Sequence, residues 1–262
     1  MRQYGVLIIS HGSRDHTWVE LVRSACAEVD LPGACRSFPI ACCFLELVEG
    51  HLIQDGIDEL EQAGVTDIIT VPLFLSSGST HLDEIAWALG VQSEPQLPTD
   101  LERLRVSSRV HLCAPIDDDP EIAALVVEKL AALSRDPSRE LVLLIGHGSE
   151  QPDFQARYRK GMRSLAAQVK RLGGFVEADI ALLLPDEAAG RLQAWRHERP
   201  ELTVLVVPLF LSQGYFTSRV IPERLTGLDY VYNGMALLPS RRVTEWISRK
   251  IVEQWSMIEM NG

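Results

Sequence analysis

Two segments of this chain occur twice, and both pairs share one spacing. Ile9-Ser10-His11-Gly12-Ser13 has a near copy at Ile145-Gly146-His147-Gly148-Ser149. Val71-Pro72-Leu73-Phe74-Leu75-Ser76 recurs letter for letter at Val207-Pro208-Leu209-Phe210-Leu211-Ser212. Both pairs are offset by 136 positions. A shared offset marks a duplicated structural unit, here covering nearly all of the 262 residues. The expected copies are residues 1–134 and 138–262, joined through Arg135-Asp136-Pro137-Ser138-Arg139.

Each copy reads as strands alternating with amphipathic helices. Val6 to Ser10 is a continuous apolar run, as in a strand buried on both faces. Asp15 then caps a helix in which Trp18, Leu21, Val22, Ala25 and Val29 recur at helical spacing. Strands follow at Ile40–Leu45, Asp67–Leu75 and Val110–Ala114, with helices at Leu52–Ala63, Leu82–Leu89 and Pro120–Leu133. The second copy repeats the alternation and ends with a helix near Arg219–Leu225, a strand at Tyr230–Met235 and a helix at Ser240–Trp255. Such alternation implies an α/β chain with parallel sheets and right-handed crossovers.

Bulk properties narrow the partners. A hydrophobic fraction of 46% with 23% charged residues is ordinary globular composition. A net charge of −11 without a basic cluster argues against nucleic acid and anionic membranes. No stretch approaches the roughly 20 apolar residues of a membrane span, and the first ten residues do not resemble a signal peptide, so a cytoplasmic protein is expected. The five cysteines, Cys26, Cys35, Cys42, Cys43 and Cys113, show no CxxC spacing and read as buried or incidental thiols. Neither a P-loop nor the GxGxxG fingerprint is present.

In open parallel sheets, ligands bind at the carboxyl ends of the strands. His11 ends the first strand, Glu46 the second, and His81 lies just past the third. Each has an ordinary alternative as hydrogen-bonder, solvent-facing acid or helix cap, but their placement on one edge makes them a set. Two imidazoles and a carboxylate suit a divalent transition metal with open positions, and equally suit proton acceptance near neutral pH. Gly12 and Gly148 permit tight turns there. Ser13 and Arg14 precede a helix whose first amides favour anions, and Ser76, Ser77, Gly78 and Ser79 form a second polar loop on that edge. His16, His51 and His197 read as surface residues, and His111 as packing. His147 keeps the motif position without partners: Glu46 stands opposite Leu182 in the ungapped comparison, and His81 opposite Thr217.

Three elements together carry a resemblance: Ser10-His11-Gly12-Ser13-Arg14, Phe44-Leu45-Glu46-Leu47-Val48-Glu49, and Val71 through His81. In order and spacing they resemble the class II tetrapyrrole chelatases, in particular the sirohydrochlorin cobaltochelatase and ferrochelatase group. The resemblance implies two similar lobes on one monomeric chain with a cleft between them. It implies ATP-independent insertion of Co²⁺ or Fe²⁺, with Ni²⁺ a further candidate, into a sirohydrochlorin-type tetrapyrrole. The metal is then a substrate, with no permanently bound cofactor. By position, His11, Glu46 and His81 are the implied catalytic and metal-binding residues, which ligand and which base being left open. Substrate contacts are expected from Ser13, Arg14, Ser76, Ser77 and Gly78, and from Tyr215 and Phe216, which replace small polar residues in the second copy's loop. Gly50 departs from the proline common in the family after the acidic segment, and the histidine-rich and iron–sulfur motifs of some relatives are absent. A non-catalytic metal or tetrapyrrole carrier, and a chelatase for another tetrapyrrole such as protoporphyrin, are the rival readings.

The unequal copies imply unequal chemistry. His11→Ala or His81→Ala should lower metal insertion by at least about 10²-fold, the scale of a lost acid–base group, and His147→Ala far less. Steady-state insertion rates of the three variants check this. Loss in His147→Ala with His11→Ala near wild type would reverse the assignment.

Overall fold

The computed structural model describes residues 2–261. Its contacts divide the chain into two compact units, one made of Met1–Phe74, Thr80–Pro115 and Val243–Gly262, the other of Leu75–Ser79 and Ile116–Arg242.

The first unit is built on a four-stranded parallel sheet in the order β2-β1-β3-β4, with β1 at Tyr4–Ser10, β2 at Ile40–Phe44, β3 at Asp67–Pro72 and β4 at Arg109–Leu112. Val6 through Ile9 are wholly buried, as the unbroken apolar run of a central strand requires. Leu7 and Ile9 face a core shared with Ala41, Cys43, Ile57, Leu60, Ile68, Phe74 and Ile85. Each such Val, Leu or Ile stabilises the fold by roughly 1.5–3 kcal/mol. Helix α1 (His16–Ala27) starts where Asp15 accepts from the amides of Thr17 and Trp18. Helices α2 (Ile53–Gln62) and α3 (Thr80–Ala88) complete the crossovers.

The second unit holds a three-stranded parallel sheet in the order β6-β5-β7, with β5 at Glu140–Gly148, β6 at Glu177–Leu184 and β7 at Thr203–Pro208. Helix α4 (Pro120–Leu130) packs against α5 (Pro152–Gly173). Proline at the first turn of α5 and left-handed Gly174 after its end (φ 69°) account for its sharp limits. Helices α6 (Ala188–Glu198) and α7 (Ile221–Arg224) close the unit. The last helix, α8 (Arg241–Asn261), falls almost wholly in the first unit, where the Tyr4 hydroxyl donates to Glu259 at 2.5 Å. The last helix of each sequence copy is thus grouped with the other copy's sheet. The 1–134 and 138–262 division describes the repeat in sequence, and the packing units are drawn from other segments.

Two expected elements differ. Tyr230–Met235 makes only a single bridge, Val231 to Leu205, instead of a strand. The side chain of Asn233 accepts from the amide of Met235, and Gly234 takes φ +68°, so the chain turns away after one bridge. The helix expected near Arg219 begins earlier, with a wide turn over Phe216–Val220 that runs into α7. Among the described residues, no helix is long and apolar enough to cross a membrane.

Gly12 sits at the exit of β1 with φ +104°, and a Cβ there would stand 2.0 Å from the carbonyl oxygen of Glu46. Gly12→Ala should therefore cost about 3 kcal/mol of stability through strain and clash together. Gly64→Ala, at φ +85° with nothing within 4 Å, should cost only about 1–2 kcal/mol. Urea denaturation of the two variants checks this, and equal losses would rule out the contact with Glu46 as a cause.

Candidate active site

The parallel register brings the expected residues to one edge of the first sheet. Ser10 pairs with Phe44, and beyond the strand ends the amide of Leu45 donates to the Ser10 carbonyl (2.8 Å) and that of Glu46 to the His11 carbonyl (3.2 Å). On the other side of β1, the Leu73 amide donates to the Ile9 carbonyl at 2.7 Å. The chain then returns to the first unit at Thr80, and His81 occupies the first turn of α3.

The rings of His11 and His81 meet edge to face, with centroids 4.6 Å apart and planes at 77°. Their Nε2 atoms are 3.2 Å apart. Two imidazole nitrogens bound to one ion at roughly 2.0–2.1 Å with a tetrahedral angle stand about 3.3–3.4 Å apart. The pair is therefore close to the spacing needed to share a metal. Nδ1 of His11 lies 3.1 Å from the Gly12 carbonyl. A carbonyl only accepts, so His11 carries its proton on Nδ1 and presents a lone pair at Nε2.

A carboxylate stands behind each ring. Glu46 Oε1 is 3.8 Å from Nδ1 of His11, and Glu84 Oε2 is 3.5 Å from Nδ1 of His81. Nδ1 of His81 is buried without a closed hydrogen bond. Burial, and next the neighbouring His11, push the His81 pKa below its usual value against the pull of Glu84 and Glu46. Glu46 faces the far nitrogen of His11, so it would have to turn to reach an ion held between the Nε2 atoms. Among the described residues, no three His, Cys, Asp or Glu side chains converge as a ready-made metal site. Glu84 was missed in the sequence. Its signal is the i,i+3 spacing from His81, which places both side chains on one helical face.

The other expected contacts are distributed unevenly. Arg14 is exposed. The Ser13 hydroxyl accepts from the Asp15 amide, and Asp15 already takes the first amides of α1. Ser76, Ser77 and Gly78 belong to the second unit. Ser76 Oγ accepts from the Gly78 amide, the amide and hydroxyl of Ser77 both donate to Asp117, and a Cβ on Gly78 would stand 2.4 Å from the Phe154 carbonyl. These groups are engaged within their own unit. His16, His51 and His197 are exposed, and His111 bonds the buried carboxylate of Asp67 at 3.0 Å.

The second unit repeats the framework and replaces the chemistry. Nδ1 of His147 lies 3.1 Å from the Gly148 carbonyl, as in the first copy. Gly146 pairs with Leu182, as Ser10 pairs with Phe44, and a Cβ on Gly148 would meet the Leu184 carbonyl at 2.3 Å. The spatial counterpart of Glu46 is therefore Leu184, and Leu182 matches Phe44. The ungapped comparison misses this because β6 is displaced by two residues relative to β2. Phe216 fills the place of the second imidazole. It lies edge-on to His147 (5.1 Å, 85°) and stacks on Phe210 (5.4 Å), the counterpart of Phe74 beside His81. Thr217, the residue aligned with His81, is buried, with its hydroxyl bonded to Gly214. Tyr215 is 63% exposed.

Comparison with known proteins agrees with this double construction. The CbiX family model matches residues 5–133 and again 141–254. A sirohydrochlorin cobaltochelatase of Methanopyrus kandleri is 24% identical over 136 residues, 48% of this chain and 93% of that protein. SirB from Bacillus subtilis with Fe³⁺ shares the fold at a TM-score of 0.70 and 21% identity, over 97% of this chain and 96% of that one. A sirohydrochlorin chelatase SirB from Bacillus subtilis subspecies spizizenii in complex with cobalt gives 0.65 at 21% identity, over 97% and 95%. Matched in two successive stretches that together span nearly its whole length, the chain belongs to the CbiX family.

Proposed function

We propose that this protein is a sirohydrochlorin chelatase that inserts Co²⁺ or Fe²⁺ into the macrocycle without ATP. The observation that carries the reading is the facing pair of Nε2 atoms, 3.2 Å apart, at the carboxyl edge of the first sheet. The metal is a substrate, so its site must hold and then release it. Two protein nitrogens leave coordination positions for the pyrrole nitrogens, whereas a closed four-ligand site would retain the ion. Inserting a divalent ion expels two pyrrole N–H protons, and the site must carry them away. His11 already presents a lone pair at Nε2. His81 presents one when its proton sits on Nδ1, towards Glu84. The paired acids supply a route outwards, from His11 to half-exposed Glu46 and from His81 to Glu84. In this reading Glu46 relays protons or delivers metal. Exposed Tyr215 offers a stacking surface for the flat ring, with aromatic pairs worth roughly 0.5–1.5 kcal/mol beyond buried area.

Mixing the protein with sirohydrochlorin and Co²⁺ or Fe²⁺ under anaerobic conditions, and following the visible spectrum, tests the activity. Insertion should run well above the protein-free rate. Tight binding of either substrate without acceleration would make the protein a carrier. Tyr215→Ala should raise the tetrapyrrole KM at least about threefold while leaving metal affinity unchanged, the scale of one lost stacking contact. An unchanged KM moves the ring elsewhere. Phe216→Ala is unsuited to this test because it removes packing from beneath His147.

Acidification should weaken metal binding. Imidazole coordinates only when neutral, and the depressed pKa of His81 keeps it neutral to lower pH than a solvated histidine. The unfolded chain takes up this proton first, near its ordinary value of about 6.5, so the contribution of His81 to stability is present above that pH and lost on acidification through the folded value. Apparent Co²⁺ affinity by calorimetry should hold to lower pH than at a solvated histidine site, whose ordinary pKa is about 6.5, and then fall progressively on further acidification while the protein remains folded. An affinity that stays level until the protein unfolds in acid would exclude the histidine pair as the metal site.

A further inference from the structure

Three of the five cysteines cluster at β2: Cys42 and Cys43 within the strand, and Cys26 in the last turn of α1. The proposed insertion reaction uses none of them. Cys43 pairs in register with Ile9 and joins that residue's core. Cys42 pairs with Ile8 and points to the opposite face of the sheet, where its sulfur lies 2.8 Å from that of Cys26. That is well inside ordinary non-bonded contact and within an ångström of the roughly 2.05 Å of a disulfide bond.

The two thiols sit in different surroundings. Cys26 is 4% exposed, whereas Cys42 is half-buried and lies on an edge strand. The contact with Cys42, and then burial, push the Cys26 thiol up. The same contact, with the positive charge of Arg23, draws Cys42 down against the cost of burial. The less buried sulfur, drawn down, beside the more buried one, pushed up, is the arrangement of an attacking and a resolving cysteine.

We propose that Cys26 and Cys42 form a reversible dithiol–disulfide site, in which Cys42 meets the oxidant and Cys26 resolves it. The oxidant is a low-molecular-weight disulfide. The Cys42 thiolate attacks one of its sulfurs, the small S–S bond breaks, and one small thiol leaves with the proton that Cys42 gave up. Cys26 then loses its proton and attacks the Cys42 sulfur. The mixed disulfide breaks, and the second small thiol leaves with that proton. Two cysteine thiols are oxidised and one small disulfide is reduced to two thiols. The product staples the last turn of α1 to the middle of β2. These elements flank the turn after His11 and the strand leading to Glu46, and the staple touches neither residue.

The test is equilibration of the full chain in buffers of oxidised and reduced glutathione, acid quench, alkylation and peptide mapping without reductant. Fragmentation between Cys42 and Cys43 assigns the bond. The expected result is a Cys26–Cys42 linkage that dithiothreitol removes, with Cys35, Cys43 and Cys113 still reduced. A protein disulfide depends on the square of the thiol concentration. At a fixed ratio of the two glutathione forms, tenfold dilution of total glutathione should therefore raise the oxidised-to-reduced ratio of this pair about tenfold. In Cys26→Ser, Cys42 should stop at a glutathione adduct whose occupancy ignores dilution. The proposal is overturned if both thiols stay alkylatable in folded, oxidised protein, if Cys42 links to another cysteine, or if wild-type oxidation is insensitive to dilution. Should Cys26→Ser fail to fold, the wild-type dilution experiment decides alone.

Discussion

The parallel pairing of β1 with β2 and β3 is the constraint on which the first unit's site depends. Val6 through Ser10 are buried on both faces, so their amides and carbonyls must be satisfied by neighbouring strands. That pairing fixes where each neighbour ends. The amide of Glu46 reaches the His11 carbonyl, and the amide of Leu73 reaches the Ile9 carbonyl, because the ladders continue one step past the regular strands. Gly12 makes the close approach possible, since a Cβ would collide with the Glu46 carbonyl. Chemistry at the edge is thus positioned by backbone hydrogen bonds made in the core.

The second unit shows what that framework requires and what it leaves open. Gly148 repeats the approach of Gly12, and Leu209 repeats the bond of Leu73, donating to the Ile145 carbonyl at 2.8 Å. Backbone needs are the same in both copies and have been kept. The side chains at the edge differ: leucine stands for the acid, and a phenylalanine ring takes the second imidazole's place. A buried polar group without a partner is costly, while an aromatic ring against another ring is stabilising. Packing Phe216 between His147 and Phe210 is therefore a stable arrangement at that edge.

In the first unit, the His11–His81 pair is held against that tendency. The two Nε2 atoms stand within hydrogen-bond distance of each other, and burial of His81 penalises its charged form. Glu84 and Glu46 offset part of that penalty, which still holds the His81 pKa below its usual value.

Much of this was legible in the chain itself. The duplication, the strand–helix alternation, the cap at Asp15 and the grouping of His11, Glu46 and His81 all follow from spacing, because parallel strands place their carboxyl ends on one edge whatever the details of packing. Glu84 was also within reach, three residues along a helix from His81. Other features needed the tertiary structure. The two-residue displacement that makes Leu184 the counterpart of Glu46 is a matter of strand register, which a constant offset conceals. The entry of Phe216, in place of the aligned Thr217, beside His147 depends on the wide turn at Phe216–Val220. The engagement of Ser76, Ser77 and Gly78 with Asp117 and Phe154, and of Cys42 with Cys26, arises between segments separated by at least 16 residues, as does the grouping of α4 and α8 with the opposite copies' sheets. Local sequence determines which element a segment forms and which edge its last residue reaches. Only the packed structure decides which side chains from distant elements share a contact, because that depends on register and on the volume each neighbour leaves to be filled.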